Sequence, residues 1–111
     1  KFITMTKNNS KKEKLSIDAH MVLNNPRSYN LLKAVEEMQE LSVELTQLVT
    51  KPPKTRKELY ERRSAVTDEI GDVIIRLNVL CKMFNNAAIQ KRIDYKYSKY
   101  REYRKRGYKR I

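Results

Sequence analysis

The sequence predicts an all-α protein, a helical bundle of about three main helices per chain that is completed by oligomerisation. Apolar residues recur at spacings of three and four over long stretches, as on one side of a helix. The chain of 111 residues has only two glycines and three prolines, so sharp turns are few. Three helices around a small core leave one flank uncovered, and self-association commonly covers such a flank.

The first main helix is expected to begin at the segment "NNPRSYN". There Asn25 can cap the helix and Pro26 suits its first position. Proline cannot donate a helical hydrogen bond, so Pro52 and Pro53 must end this helix. Its apolar stripe consists of Leu31, Val35, Met38, Leu41, Leu45 and Leu48.

The second main helix is expected to start at the segment "TRKE" and to run to about Phe84. This segment matches a capping box, in which Thr55 caps the helix and Glu58 reaches back to the cap. The later apolar stripe consists of Val66, Ile70, Val73, Leu77, Leu80 and Phe84.

The third main helix is expected from about Ala87 to Arg104, and Gly107 is expected to end it. One side of this helix carries isoleucine and tyrosine: Ile89, Ile93, Tyr97 and Tyr100.

The chain is divided into three regions by composition. Residues 1–25 are read as a basic N-terminal arm, in which 7–14 is a solvated charge run and 15–23 is either a short helix or an extended segment. Residues 26–104 form the helical domain, and 105–111 form a basic tail.

The net charge of +12 is unevenly distributed. Residues 1–28 carry six basic and two acidic side chains, 29–84 carry nine of each, and 85–111 carry ten and two. Basic flanks attract phosphates, which leaves both a nucleotide and a nucleic acid open as partners. No run of 18 apolar residues occurs, so we expect no membrane partner. The single cysteine gives no sign of an oxidising compartment, and we expect a cytoplasmic protein.

Two pairs of acidic residues lie beside the apolar stripes in matched register: Glu37 with Glu40, and Glu69 with Asp72. Within each pair the residues are one helical turn apart, and packed stripes would bring all four together. Such crowding is relieved by basic partners or by a metal ion. Oxygen ligands without histidine suit Mg²⁺ or Mn²⁺ rather than iron. The simpler alternative is that both pairs are ordinary solvated helix faces.

The segments "EEMQEL" and "DEIGDVIIRL" resemble the EExxE…ExxD signature of the all-α nucleoside triphosphate pyrophosphohydrolases, the MazG-like group. The resemblance covers about residues 26–104, and "IDYKYSKYREYR" looks like the third helix of that group. It implies a helical bundle that forms a dimer or tetramer. It also implies Mg²⁺-dependent cleavage of an NTP or dNTP to a nucleoside monophosphate and pyrophosphate.

The resemblance also implies roles for particular residues. The metal-binding and catalytic carboxylates would be Glu37, Glu40, Glu69 and Asp72. The substrate contacts would include Glu36 as a helper and Lys96 and Lys99 at the phosphate oxygens.

Arg76 departs from the pattern of the group, which often has an aromatic or aliphatic residue at this position. Arg76 could bind phosphate, or it could form an ion pair with Glu44 or Glu40.

Two other classes of function remain open from the sequence. One is a nucleic-acid-binding helical module, or a pseudo-enzyme that keeps the fold, because basic residues alternate with tyrosines near the C-terminus. The other is a structural helical adaptor, for which the apolar stripes would suffice.

Overall fold

The computed structural model describes residues 2–111, and it describes side chains from Ser10 onward. No strand occurs in the described range, so the all-α prediction is confirmed. The three predicted main helices lie where the sequence placed them, but a further helix precedes them and brings the number within this range to four. The helices are α1 (Phe2–Asn24), α2 (Arg27–Thr50), α3 (Arg56–Met83) and α4 (Asn86–Lys105).

Helix α1 includes 15–23, for which a short helix was one of two alternatives, and it is longer than predicted because it also includes the charge run 7–14, whose side chains from Lys11 to Lys14 are exposed. No glycine or proline interrupts Phe2–Asn24, and lysine and glutamate are good helix formers, so a charge run need not break a helix. Near its end, Ala19, Met21 and Val22 are half-buried, and α1 packs mainly against α3. This long-range contact holds a segment whose composition alone indicates a solvated chain.

A buried asparagine joins the end of α1 to the start of α2. Asn30 is 2% exposed; its side-chain nitrogen donates to the Met21 carbonyl at 3.0 Å, and its side-chain oxygen accepts from Asn25 at 3.0 Å. Asn25 was predicted to cap α2, but Pro26 occupies the cap position and makes no side-chain cap bond. The Asn25 side chain instead contributes to this connection between the two helices.

Helices α2 and α3 form an antiparallel hairpin, which is the main packing contact of the chain. The predicted cap of α3 is confirmed, because the Thr55 hydroxyl accepts from the Glu58 amide at 3.1 Å. The second hydrogen bond of the capping box differs from the prediction. The Glu58 carboxylate accepts from the Lys54 amide at 3.2 Å and not from the Thr55 amide. The Arg62 guanidinium also donates to the Lys51 carbonyl, which ties the loop to α3.

Helices α2 and α3 pack against each other through side chains that lie to one side of the predicted apolar stripes. We call the row of side chains that each of these helices turns toward the other its inward line. The inward side chains of α2 are buried or half-buried: Asn30, Ala34, Glu37, Leu41, Glu44 and Leu48. Val35, Met38 and Leu45 are exposed, although they belong to the predicted stripe. On α3, Val66 and Val73 are buried as predicted, whereas Ile70 and Leu77 are exposed. The apolar arc of each helix is wider than one interface, so intrachain packing covers only one edge of it.

The chain is open, and little of its apolar surface is buried. Among the described side chains, only four hydrophobic residues are buried: Ala34, Val66, Val73 and Val79. The radius of gyration is 18.1 Å, whereas a compact domain of this length has about 13 Å. The accessible surface is 9663 Å², against about 6,400 Å² for a folded monomer of this mass. Many apolar side chains of this chain therefore remain without a packing partner.

Helix α4 is the least packed element. Within the described range it contacts α3 and neither α1 nor α2. Its start is held by the Asn85 side chain, which accepts from the Ala88 amide at 3.0 Å. Most of α4 therefore projects from the hairpin.

We expect Asn30→Ala to lower the free energy of unfolding by about 1–3 kcal/mol, because it removes one buried hydrogen-bonding group and leaves its partners unsatisfied. Asn24→Ala is the matched control, since the bonds of Asn24 to His20 are exposed, and it should cost less than about 0.5 kcal/mol. Urea unfolding at one protein concentration measures both. Equal losses in the two variants would show that Asn30 does not join α1 to α2.

Candidate metal centre

Three carboxylates converge where α2 and α3 meet. One oxygen from each of Glu37, Glu40 and Glu69 lies within 4.8 Å of the other two. Glu37 and Glu69 lie on the inward lines of their helices, and Glu40 follows Glu37 by one turn. The convergence therefore follows from the antiparallel packing of the hairpin. We call Glu37, Glu40 and Glu69 the acidic trio.

Among the side chains described, from Ser10 onward, the acidic trio has no basic partner. One oxygen of Glu37 and one of Glu69 are out of contact with solvent and accept no hydrogen bond. Among the described side chains, ion pairs join Lys33 to Glu36, Lys57 to Glu61 and Arg62 to Glu58, and none involves the trio. The sequence left two ways to relieve the crowded negative charge, and one was pairing with lysine or arginine. The described side chains do not form such pairs with the trio.

The crowding changes the acidity of two members of the trio. Burial of the carboxyl group raises the pKa of Glu37 and of Glu69, and the negative charge of Glu40 raises both pKa values further. Both effects favour the neutral form of a carboxyl group. A bound cation would oppose both effects, because it compensates the lost hydration and the repulsion.

Asp72, the fourth predicted metal ligand, lies beside the trio but outside it. Its side chain is exposed, and its oxygens do not belong to the group that meets within 4.8 Å. Its negative charge still contributes to the raised pKa values of Glu37 and Glu69. Asp72 has the same i+3 relation to Glu69 that Glu40 has to Glu37, but the side chain of aspartate is one methylene shorter than that of glutamate.

Two predicted substrate-binding residues make other contacts. The Glu36 carboxylate pairs with the Lys33 ammonium at 3.1 Å and does not belong to the three carboxylates that converge. The Arg76 guanidinium lies 3.9 Å from the Met21 sulfur. The alternative in which Arg76 pairs with Glu40 or Glu44 is not adopted, because no ion pair of Arg76 occurs among the described side chains.

The predicted phosphate-binding lysines are not brought to the trio by the same chain. Lys96 and Lys99 lie on α4, which makes no contact with α2 in the described range. The Lys96 ammonium lies over the Tyr100 ring at 5.3 Å, and the Lys99 ammonium lies over the Tyr95 ring at 5.4 Å.

An open groove of about 390 Å³ runs along α2 beside the trio. It is lined by Glu36, Gln39, Glu40, Val43, Glu44 and Glu69. Gln39 and Val43 were not identified from the sequence, and Glu44 was considered only as a partner for Arg76. Glu44 follows Glu37 by seven residues, so helical spacing already places it on the inward line of α2.

Comparisons with protein-family models, with curated proteins and with solved structures found no match to this chain. The resemblance to the MazG-like group therefore depends on the two acidic motifs and stays a prediction. Within the residues described, none of the helices has the length and apolar character needed to cross a membrane.

We expect the stability of the metal-free protein to depend on pH through the trio. Because the pKa values of Glu37 and Glu69 are raised in the folded state, that state binds more protons than the unfolded state. The contribution is therefore favourable at acidic pH and is lost as pH rises from about 4.3, the value of a free glutamate, through the raised pKa.

Thermal melting in EDTA between about pH 4.5 and 7.5 measures this dependence. Glu69→Gln should weaken the decline of melting temperature with rising pH. Glu61→Gln is the matched control on the same helix, since Glu61 is exposed and pairs with Lys57. Identical pH profiles for the two variants would contradict the expected coupling.

Proposed function

We propose that this protein is a Mg²⁺-dependent nucleoside triphosphate pyrophosphohydrolase, which cleaves an NTP or dNTP to a nucleoside monophosphate and pyrophosphate. The observation that carries the proposal is the acidic trio, which combines carboxylates from two helices and pairs with no basic side chain in the described part of the chain. The two motifs that supply the trio are those that resemble the MazG-like group. A structural adaptor would not need repelling carboxylates in its main helix interface.

The donor set fits a hard divalent cation. All ligand atoms of the trio are carboxylate oxygens, which Mg²⁺ and Mn²⁺ prefer. Glu37, Glu40 and Glu69 would hold the ion, and the exposed side chain of Asp72 would complete the set from beside them. When bound, Mg²⁺ would neutralise charge on the triphosphate and on the phosphoryl group during transfer.

A carboxylate of the acidic trio would also accept a proton during the reaction. In the proposed reaction a water oxygen bonds to the α-phosphorus, and the bond from the α-phosphorus to the α,β-bridging oxygen breaks. A carboxylate accepts the proton of that water as general base. Glu37, Glu40 and Glu69 are the candidates for this role, because the proposed ion would place substrate and water beside them.

The proposed enzyme is a homodimer, with a homotetramer as the alternative assembly. Helical spacing places Met38 and Leu45 of α2 on the same side of the hairpin as Ile70 and Leu77 of α3. All four side chains are exposed in the single chain. A second copy that packs on this side would cover them and leave the groove beside the trio open. Lys96 and Lys99 could then approach the trio from the neighbouring chain, since their own α4 does not reach α2.

Metal and activity are tested together on the wild type, Glu69→Gln and Asp72→Asn. We expect Mg²⁺ to raise the melting temperature of the wild type by several degrees, since it binds only the folded site. Glu69→Gln should lose most of this rise and should release pyrophosphate from NTPs or dNTPs roughly a hundredfold more slowly or worse. Without metal it should melt at the same temperature as the wild type or higher, because one repelling charge is gone.

Asp72→Asn should lose activity as well, and it should retain more of the Mg²⁺ effect on melting because Asp72 lies outside the trio. Glu61→Gln serves as control for both assays. A wild type that neither melts higher with Mg²⁺ nor releases pyrophosphate from any NTP or dNTP would contradict the proposal.

Substitutions of two neighbouring isoleucines of α3 test the proposed homodimer. Ile74 is 51% exposed on the apolar side of the hairpin, and Ile75 is 48% exposed on a different side. We expect light scattering to give about twice the chain mass of 13.2 kDa for the wild type and Ile75→Lys. Ile74→Lys should shift the protein toward the monomer, because burying an unpaired ammonium is costly. A wild type that is monomeric at micromolar concentration would contradict the proposed assembly.

A further inference from the structure

Four tyrosines form a continuous series along α4 and into the tail. The ring centroids of Tyr97 and Tyr100 are 6.4 Å apart, those of Tyr100 and Tyr103 are 6.4 Å apart, and those of Tyr103 and Tyr108 are 5.3 Å apart. The last pair is stacked, with an interplanar angle of 24°. We call these four residues the tyrosine ladder.

The C-terminus of α4 adopts a conformation that places Tyr108 in the ladder. Gly107 has a φ of 85°, a left-handed conformation that glycine adopts without strain. The Tyr108 amide donates to the Tyr103 carbonyl at 3.0 Å, and the Gly107 amide donates to the Arg104 carbonyl at 3.0 Å. These bonds define a Schellman motif, which turns the chain back so that the Tyr108 ring lies on Tyr103.

Basic side chains accompany the ladder. Lys96 lies over the Tyr100 ring at 5.3 Å, and the Arg106 guanidinium lies over the Tyr108 ring at 5.2 Å. Arg101 and Arg104 line a shallow groove with Tyr97 and Tyr100. Residues 85–111 carry ten basic and two acidic side chains, so the surface around the ladder is strongly positive. The surface combines aromatic rings with cations over the C-terminal half of α4 and the start of the tail.

No other helix in the described range packs on the ladder except through the contact of α4 with α3. Among the residues described, α4 contacts only α3, and Tyr97 remains 60% exposed. Pairing of two α4 helices would bring seven basic residues of each copy together, which repulsion disfavours. A polyanion with flat apolar groups satisfies both features of the surface.

We propose that the tyrosine ladder and its basic neighbours bind single-stranded nucleic acid. Unpaired bases stack on aromatic rings, and lysine and arginine beside the rings bind the phosphates. A duplex keeps its bases stacked inside and therefore cannot use the rings in this way. The inference does not depend on the proposed hydrolase activity, because no residue of the ladder belongs to the acidic trio.

Fluorescence anisotropy of the full chain with a labelled oligothymidylate of about 20 nucleotides tests the surface, with a duplex of equal length for comparison. We expect tighter binding of the single strand, and affinity that falls steeply as the salt concentration rises. The double variant Tyr97→Leu, Tyr100→Leu keeps apolar bulk but removes the rings. It should weaken single-strand binding about tenfold or more and leave duplex binding nearly unchanged.

Charge is tested with a matched pair of double variants. Arg101→Gln, Arg104→Gln should weaken binding and reduce its salt dependence, whereas Lys51→Gln, Lys54→Gln in the loop between α2 and α3 removes the same charge and should have little effect. Preference for the duplex, equal losses in the two charge variants, or full binding by the leucine variant would overturn the proposal.

Two further measurements separate the ladder from the rest of the molecule. Glu69→Gln should bind the oligonucleotide as the wild type does, whether or not hydrolysis is found. Loss of binding in that variant would place the strand at the acidic trio and overturn the proposal. The leucine variant should keep the wild-type mass in light scattering. A changed mass would identify the ladder as a contact between copies and would also overturn the proposal.

Discussion

The meeting of Glu37 and Glu69 across the interface of α2 and α3 constrains the rest of the chain. These helices make the main packing contact, yet their inward lines carry carboxylates beside alanine, valine and leucine. Each of the two glutamates has a buried oxygen without a partner, and their pKa values are raised. The hairpin therefore holds like charges together in its centre, at a cost that a ligand can reverse. This constraint is the basis of the proposed cation site.

The rotation of α2 and α3 in the hairpin also determines which apolar side chains stay exposed. Because acidic side chains occupy part of the interface, several aliphatic residues that could have filled it remain outside, including Met38, Leu45, Ile70 and Leu77. The open shape, with a radius of gyration of 18.1 Å, has this origin together with the projection of α4. The proposed metal site and the proposed assembly surface thus involve different sides of the same two helices. Substitutions that rotate α2 or α3 would affect both.

The chain has an excess of positive charge, and its positive and negative charges are concentrated in different regions. The middle of the sequence is balanced, but three of its acids converge in the acidic trio, and most of the excess positive charge lies on α4 and the tail. In one chain these two regions are kept apart, since α4 contacts neither α2 nor α1 in the described range. Positive potential around the tyrosine ladder and negative potential at the trio therefore persist side by side. Each can recruit a ligand of opposite charge.

Local signals in the sequence determined the bounds of α2, α3 and α4, because prolines, caps and the spacing of apolar residues act over a few neighbours. They also indicated the convergence of Glu37, Glu40 and Glu69, which needs only two helices packed with their acidic pairs in register. Tertiary contacts decided the rest. Helix α1 is held by α3 and by Asn30, which its own composition does not reveal. The rotation of the hairpin depends on which edge of a wide apolar arc is packed. Spacing along one helix cannot choose between those edges, because the choice depends on how both helices fit together: the packed edge carries Glu37 and Glu69, and the more apolar edge stays exposed.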